Sequence, residues 1–180
     1  MNYIVFDLEA TCWDQWSRAD NETIEIGAIL IKNKLVISTF QEFIKPLKYP
    51  ILSDFCQELT SIKQEDVNQA RYFYEVIEDF KRWIQSDEDD YVLCSWGYYD
   101  RRQFESDCLA SGLETEWLTS HISLKHQYQK INNLRRAIGM KRALEMENFQ
   151  LEGAHHRGID DAKNISKIFM KYYDQWEFPS

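Results

Sequence analysis

No run of about eighteen apolar residues occurs anywhere in this chain, so no segment is expected to cross a membrane as a helix. The opening residues lack the basic start, apolar centre and small-residue cleavage site of a secretory leader, and a cytoplasmic protein is expected. The four cysteines, Cys12, Cys56, Cys94 and Cys108, form no C-x-x-C pair. That pattern argues against a disulfide frame or a zinc site and for reduced core thiols. Internal repeats, low-complexity tracts and linkers are absent too. Basic charge is in deficit, with 21 Lys and Arg against 30 Asp and Glu and a formal net charge of -9. A broad basic surface for holding nucleic acid non-specifically is therefore not expected. An enzyme whose acids gather around metal ions is compatible with this charge, if a local basic patch and the metals attract a polyanion.

The chain does carry 180 residues, 44% hydrophobic and 14% aromatic, which suits one folded domain over 1–180 with a sizeable core. Its organising stretch is 3–13, Tyr-Ile-Val-Phe-Asp-Leu-Glu-Ala-Thr-Cys-Trp. Four apolar residues lead into two acids, the pattern of a buried central strand. Side chains alternate along a strand, so Asp7 and Glu9 share a face. Two neighbouring carboxylates on a buried strand repel each other and resist desolvation. A bound divalent cation relieves both effects; a strand end where the acids are merely solvated is the other reading.

After a polar loop with an aromatic tip at 14–21, alternation predicts strands over 23–31 and 35–43, broken at 32–34 and ended by Pro46. With the first strand they form an antiparallel meander. A short helix is expected near 51–57, with Thr60 or Ser61 as an N-cap ahead of 63–66. Apolar residues at three- and four-residue spacing predict an amphipathic helix over 72–85. An acidic turn at 86–90 precedes a second buried strand, 91–96, parallel to the first through a right-handed crossover. A helix over 100–111 comes next, ended by Gly112. The stretch 114–150 is expected to be mostly helical, with Leu134, Ala137, Ile138, Leu144 and Met146 as core candidates. Its Lys125, Lys130, Arg135, Arg136, Lys141 and Arg142 form either a wet helix face or a phosphate-facing patch. A final helix runs to about Tyr173, with Ile165, Ile168 and Phe169 inward.

Acids thus stand beside apolar elements in three places: Asp7 with Glu9, Asp100, and Asp161 with His156. Each has a plain structural reading; Asp100 suits a helix N-cap, and His156 a loop histidine. Together they resemble a known pattern. Asp7-Leu8-Glu9, the lone Asp100 just past the second buried strand, and His156 followed after four residues by Asp161 are similar to the three motifs of the DEDDh 3′-to-5′ exonucleases. The fuller stretches Asp-Leu-Glu-Ala-Thr-Cys and His-Arg-Gly-Ile-Asp-Asp-Ala-Lys-Asn-Ile most resemble the histone-mRNA and RNA-interference-enhancing branch. Leu59-Thr60-Ser61-Ile62 is similar to a further stretch of that branch, which usually has Gly where Ser61 stands. Arg157 occupies the position where a Tyr would mark the tyrosine subclass.

The resemblance implies an α/β, ribonuclease H-like fold: a central mixed five-stranded sheet, three antiparallel strands then parallel ones, flanked by helices. It implies hydrolysis of phosphodiester bonds from the 3′ end of single-stranded nucleic acid, RNA before DNA, releasing nucleoside 5′-monophosphates. A DNA proofreading exonuclease, an oligoribonuclease and a catalytically inactive binding module are the alternatives. Two Mg²⁺ ions, with Mn²⁺ as a substitute, would be held by Asp7, Glu9, Asp100 and Asp161, and hard carboxylate oxygens suit them. His156 would take the proton of the attacking water, His155 being the competing base. Asp160 suits a cap or supporting acid, and Gly158 a hinge for a mobile histidine loop. The 3′-terminal nucleotide would lie against Glu9, Ala10, Thr11 and His156. Trp96, Tyr98 and Tyr99 either stack on a base or pack in the core. Arg157 and Lys163 either meet phosphates or are surface charges. A free 3′-hydroxyl end, and a targeting partner or a second copy, complete the expected partners.

Overall fold

The computed structural model describes residues 1–14, 20–85 and 90–179. In chain order the elements are β1 (Asn2–Ala10), β2 (Thr23–Lys32), β3 (Leu35–Lys45), α1 (Asp54–Thr60), α2 (Gln64–Asn68), β4 (Arg71–Tyr72) and α3 (Phe73–Ile84). Then come β5 (Tyr91–Ser95), α4 (Tyr99–Ala110), β6 (His121–Ser123), α5 (Leu124–Ile131), α6 (Met140–Met146) and α7 (Gly158–Lys171). The strands form one sheet in the order β4-β3-β2-β1-β5-β6. β1, β2 and β3 are the expected antiparallel meander, while β5 runs parallel to β1 and β6 parallel to β5. The five-stranded mixed sheet is therefore present, and the two-residue β4 extends its edge.

Each face of the sheet has its own core. Ile4, Phe6 and Leu8 of β1 meet Val76, Ile77 and Phe80 of α3 and Phe104 of α4. On the other face Val5, Ile29, Ile31 and Val92 meet Ile165, Ile168 and Phe169 of α7 and Leu144 of α6. The stripe of α3 packs as its spacing predicts, with Phe73, Val76, Ile77, Phe80 and Ile84 buried. β2 and β3 join through Asn33 and Lys34, both at positive φ (51° and 62°), the backbone a tight two-residue hairpin needs. β3 stops at Lys45, before Pro46, which has no N–H to give the ladder.

Local chemistry moves several expected boundaries. The helix expected near 51–57 begins later, because the Ser53 side chain caps it by accepting from Cys56 N at 3.0 Å. Thr60 and Ser61 start no helix. Ser61 ends α1 in the left-handed region (φ 59°), its N–H donating to Gln57 O at 2.9 Å. That conformation is one glycine adopts freely, which accounts for the glycine usual at this place in the resembling branch. The stretch 114–150 is less helical than expected: it contains β6, and 132–139 is irregular. Leu134 and Ile138 still pack on the core, but Met146 is exposed. Of the expected loops, 15–19 with the aromatic tip at Trp16, and 86–89 of the acidic turn, lie outside the described residues. Among the described residues no helix is long and apolar enough to cross a membrane.

Candidate metal and catalytic centre

The sheet brings the distant acids together through one close contact. Gly27 of β2 lies beneath the first residue of α7, where a Cβ would overlap the backbone of Gly158 and Ile159. A Cβ on Gly158 would in turn sit 3.1 Å from Asp7 O and 3.2 Å from Gly27 N. Two residues without side chains thus let the start of α7 rest on the sheet backbone. Gly158 is consequently a buried packing position at the start of α7. Asp161, in the first turn of α7, arrives beside β1. One carboxylate oxygen from each of Asp7, Glu9 and Asp161 lies within 4.8 Å of the others.

Asp100 approaches from the other side. The β1–β5 ladder runs only to the pair Val5 and Cys94. Beyond it the Leu8 N–H would lack a strand partner, and Asp100 Oδ1 accepts from it at 3.3 Å. Asp100 stands second in α4, with Tyr98 at the N-cap position, so it is not the cap of its own helix. A break in register between Glu9 and Ala10 bends β1 where its acids emerge.

The electrostatics record an uncompensated cluster. Burial, then the charges of Asp100, Glu9, Asp161 and Glu25, push the Asp7 carboxyl well above its ordinary range. Burial, then Asp161, Glu25 and Asp100, push Glu9 up to about 9. Asp100 rises only to about 6, because hydrogen bonds from Leu8 N–H and its own amide to the charged form oppose its burial. Acids so arranged hold protons unless a positive charge replaces them. Hard oxygen donors gathered within 4.8 Å, on rigid strand and helix positions, fit a divalent metal ion.

The histidines sit in the loop before α7. His156 is in the left-handed region (φ 65°), and its backbone N–H donates to Asp161 Oδ2 at 3.0 Å. Its ring is half-buried, and among the described residues it makes no hydrogen bond. Burial, then the neighbouring His155, lower its pKa, against an opposing pull from Asp161. His155 Nδ1 lies 3.1 and 3.0 Å from the two Asp161 oxygens. Asp160 accepts from Ala154 N–H at 3.0 Å, which ties down the loop as expected of a supporting acid.

An acid not anticipated from sequence completes the centre. Glu25, fully buried on β2, is directly paired with Glu9 across the ladder. Its carboxylate accepts from Arg157 Nε at 3.1 Å, Arg157 Nη2 at 3.2 Å, Gly158 N at 2.9 Å and Gln41 Nε2 at 2.9 Å. Four donors occupy the lone pairs of this carboxylate, which leaves it as an anchor for the histidine loop. Arg157 is thereby committed to Glu25 and lies over the Phe43 ring, not free for a phosphate. Lys163 is paired with Asp160 at 3.4 Å. The signal for Glu25 was available: a lone acid within the apolar run Ile-Glu-Ile-Gly-Ala-Ile-Leu-Ile.

Of the residues expected near a nucleotide, Ala10 and Thr11 close the first strand. Thr11 Oγ1 accepts from Glu22 N–H at 3.0 Å. Trp96 does not join them. It is 8% exposed, donates Nε1–H to Ile138 O at 3.0 Å and packs on Tyr128, so its indole belongs to the core. Tyr99 is 53% exposed at the start of α4, and Tyr98 is exposed and stacked on His126 at 4.9 Å.

The exonuclease family model (RNase_T) matches residues 4–169. The chain is 30% identical over 192 residues to ERI1 exoribonuclease 2 of Homo sapiens, covering 93% of this chain and 28% of that protein. It is 26% identical over 171 residues to the probable 3′-5′ exonuclease KapD of Bacillus subtilis, covering 92% of this chain and 82% of that protein. Among solved structures, it superposes on the nuclease domain of 3′hExo, described as a DEDDh family member bound to rAMP. The TM-score is 0.92 at 26% identity, over 99% of this chain and 96% of that one. This chain spans between 27% and 34% of the length of the ERI1 exoribonuclease 2 relatives.

Proposed function

Because the chain belongs to the exonuclease family, in its DEDDh division, we propose that it is a metal-dependent 3′-to-5′ exonuclease. Its substrate is single-stranded nucleic acid with a free 3′-hydroxyl, RNA before DNA, and its product is nucleoside 5′-monophosphate. The observation that carries this reading is the meeting of Asp7, Glu9 and Asp161 oxygens within 4.8 Å, with Asp100 and His156 at its border. The preference for RNA rests on relatives named as exoribonucleases.

Asp7, Glu9 and Asp161, with Asp100, are the residues that would hold the divalent ions, two Mg²⁺ or Mn²⁺ by the hardness of the donors. When bound, such ions activate a water and neutralise charge developing on the phosphate. The chain's own groups do the rest. His156 accepts one proton from the attacking water at its ring nitrogen. Its lowered pKa keeps the imidazole neutral and ready near neutral pH. The water oxygen forms a bond to phosphorus, the bond from phosphorus to the 3′-oxygen of the preceding nucleotide breaks, and that oxygen leaves with the bonding pair and takes a proton from solvent water to become a hydroxyl, while His156 returns its proton to solvent. Glu25 and Arg157 hold the histidine loop against β2. Exposed Tyr99 offers a face on which any base can stack.

The test uses oligonucleotides labelled at the 5′ end: single-stranded RNA, duplex RNA with a 3′ tail, and DNA, each with Mg²⁺ and with EDTA. Stepwise shortening from the 3′ end, lost in EDTA and fastest on single-stranded RNA, is expected. Faster shortening of DNA would move the substrate to DNA. Binding without shortening of any of the three would make the chain a binding module.

A further inference from the structure

Asp161 takes part in two donor sets. One is the oxygen set with Asp7 and Glu9. The other joins one ring nitrogen each from His155 and His156 to an Asp161 oxygen, again within 4.8 Å of one another. The two imidazoles stack at 3.9 Å with an interplanar angle of 20°, and His155 Nδ1 already lies 3.0 Å from Asp161 Oδ2. The His155 side chain is 37% exposed, so the pair is reachable from solvent.

The two sets have different chemistry. Three carboxylates suit Mg²⁺, a hard ion. Two imidazoles and one carboxylate suit Zn²⁺, which binds His nitrogen at about 2.0–2.1 Å and takes four ligands in a tetrahedron. Sites containing nitrogen favour the later transition metals. Tetrahedral donors stand about 3.4 Å apart at those bond lengths, so the donor atoms close by about an ångström and the two rings turn out of their stack until both nitrogens face one ion. Water supplies the fourth position.

We infer that His155, His156 and Asp161 form a transition-metal site, with Zn²⁺ as its preferred ion, and that filling it inhibits the chain. Inhibition rests on the proposed exonuclease activity: the ion occupies the His156 ring and draws Asp161 away from Asp7 and Glu9. The site itself does not depend on that activity.

The metal-free protein is titrated with Co²⁺, and then with Zn²⁺ as competitor. Visible absorption bands of tetrahedral Co²⁺, bleached by one equivalent of Zn²⁺, are expected. They should persist in Asp7→Ala and disappear in His155→Ala and His156→Ala, with Zn²⁺ affinity falling roughly 100-fold or more, beyond what losing a merely supporting contact does. Bands lost in Asp7→Ala but kept in His155→Ala would place the metal on the carboxylates and overturn the site. The absence of tetrahedral bands in the unaltered protein would overturn it as well. In the shortening assay with Mg²⁺, micromolar Zn²⁺ should inhibit the unaltered chain and leave the conservative His155→Gln active; equal inhibition of both would overturn the inhibitory role. If no Mg²⁺-dependent shortening occurs at all, the proposed function fails, while the Co²⁺ spectra still decide the site.

Discussion

The two sides of β1 carry opposite physics. Toward α3 and α4 the strand presents Ile4, Phe6 and Leu8, buried and matched by apolar partners. Toward α7 it presents Val5, then Asp7 and Glu9, whose burial raises both carboxyls above their ordinary range. One side gains free energy from every square ångström of apolar surface it buries. The other gives up stability so that negative oxygens converge where burial strips away part of their water and strengthens their field. The same nine residues therefore anchor the fold and hold its most strained electrostatics, and the alternation of a strand keeps the two tasks apart.

Substitution on each side should separate them most sharply. Asp7→Ala is expected to lower turnover by about 10³-fold or more, since metal-borne charge stabilisation is worth several kcal/mol. It should leave the metal-free fold as stable as before or more so, by removing a repelling carboxylate. Phe6→Ala should do the reverse, costing about 3–5 kcal/mol of stability in denaturant titration, with the folded fraction still active. An Asp7→Ala chain that keeps its activity would contradict the assignment of Asp7 as a ligand.

The histidine loop gives a next, smaller contrast. His156→Ala should reduce turnover about 10²-fold, the lower range for loss of a general base, and His155→Ala by no more than about twofold. Equal losses in steady-state kinetics would remove His156 from its role. Glu25→Gln keeps the shape of the side chain but not the charge that Arg157 and the start of α7 hold. It should lower kcat about tenfold with KM little changed, the equivalent of one weakened charge-assisted hydrogen bond. A fall confined to KM would mean that Glu25 acts on substrate binding instead.

The mildest effect concerns pH. Glu9 binds its proton in the folded, metal-free chain up to about 9, while its ordinary value is 4.5. Between those values the folded state holds more protons than the unfolded state, so stability is greatest at the acid end and falls as pH rises. Calorimetry should show Tm of the metal-free protein dropping by a few degrees from about pH 5 to 9, and Mg²⁺ should raise it most at the alkaline end. A Tm that rises over this window without metal would refute the account of the cluster.

Periodicity made much of the fold legible. Alternation located the meander, the three-and-four spacing located α3, and the apolar runs located β1 and β5, because each signal lies within one element. What it could not carry was contact between elements. β6 is three residues long, His-Ile-Ser, too short to show a period. Trp96 stands beside Asp100 in sequence, yet its indole turns into the core and finds Ile138 O. Glu25 looked like one polar residue in an apolar strand until β2 paired it with Glu9 and α7 brought Arg157 over it.

The chemical identity and order of the acids and the histidines, and the strands and helices that carry them, are legible in the chain alone. These are properties of short windows, set by side-chain spacing. Which of them meet follows from packing in three dimensions. Asp161 lies beside Asp7 because Gly27 and Gly158 allow a helix start to rest on a sheet. Close approach between residues so far apart in the chain is governed by packing volume and backbone geometry, neither of which has a period to read.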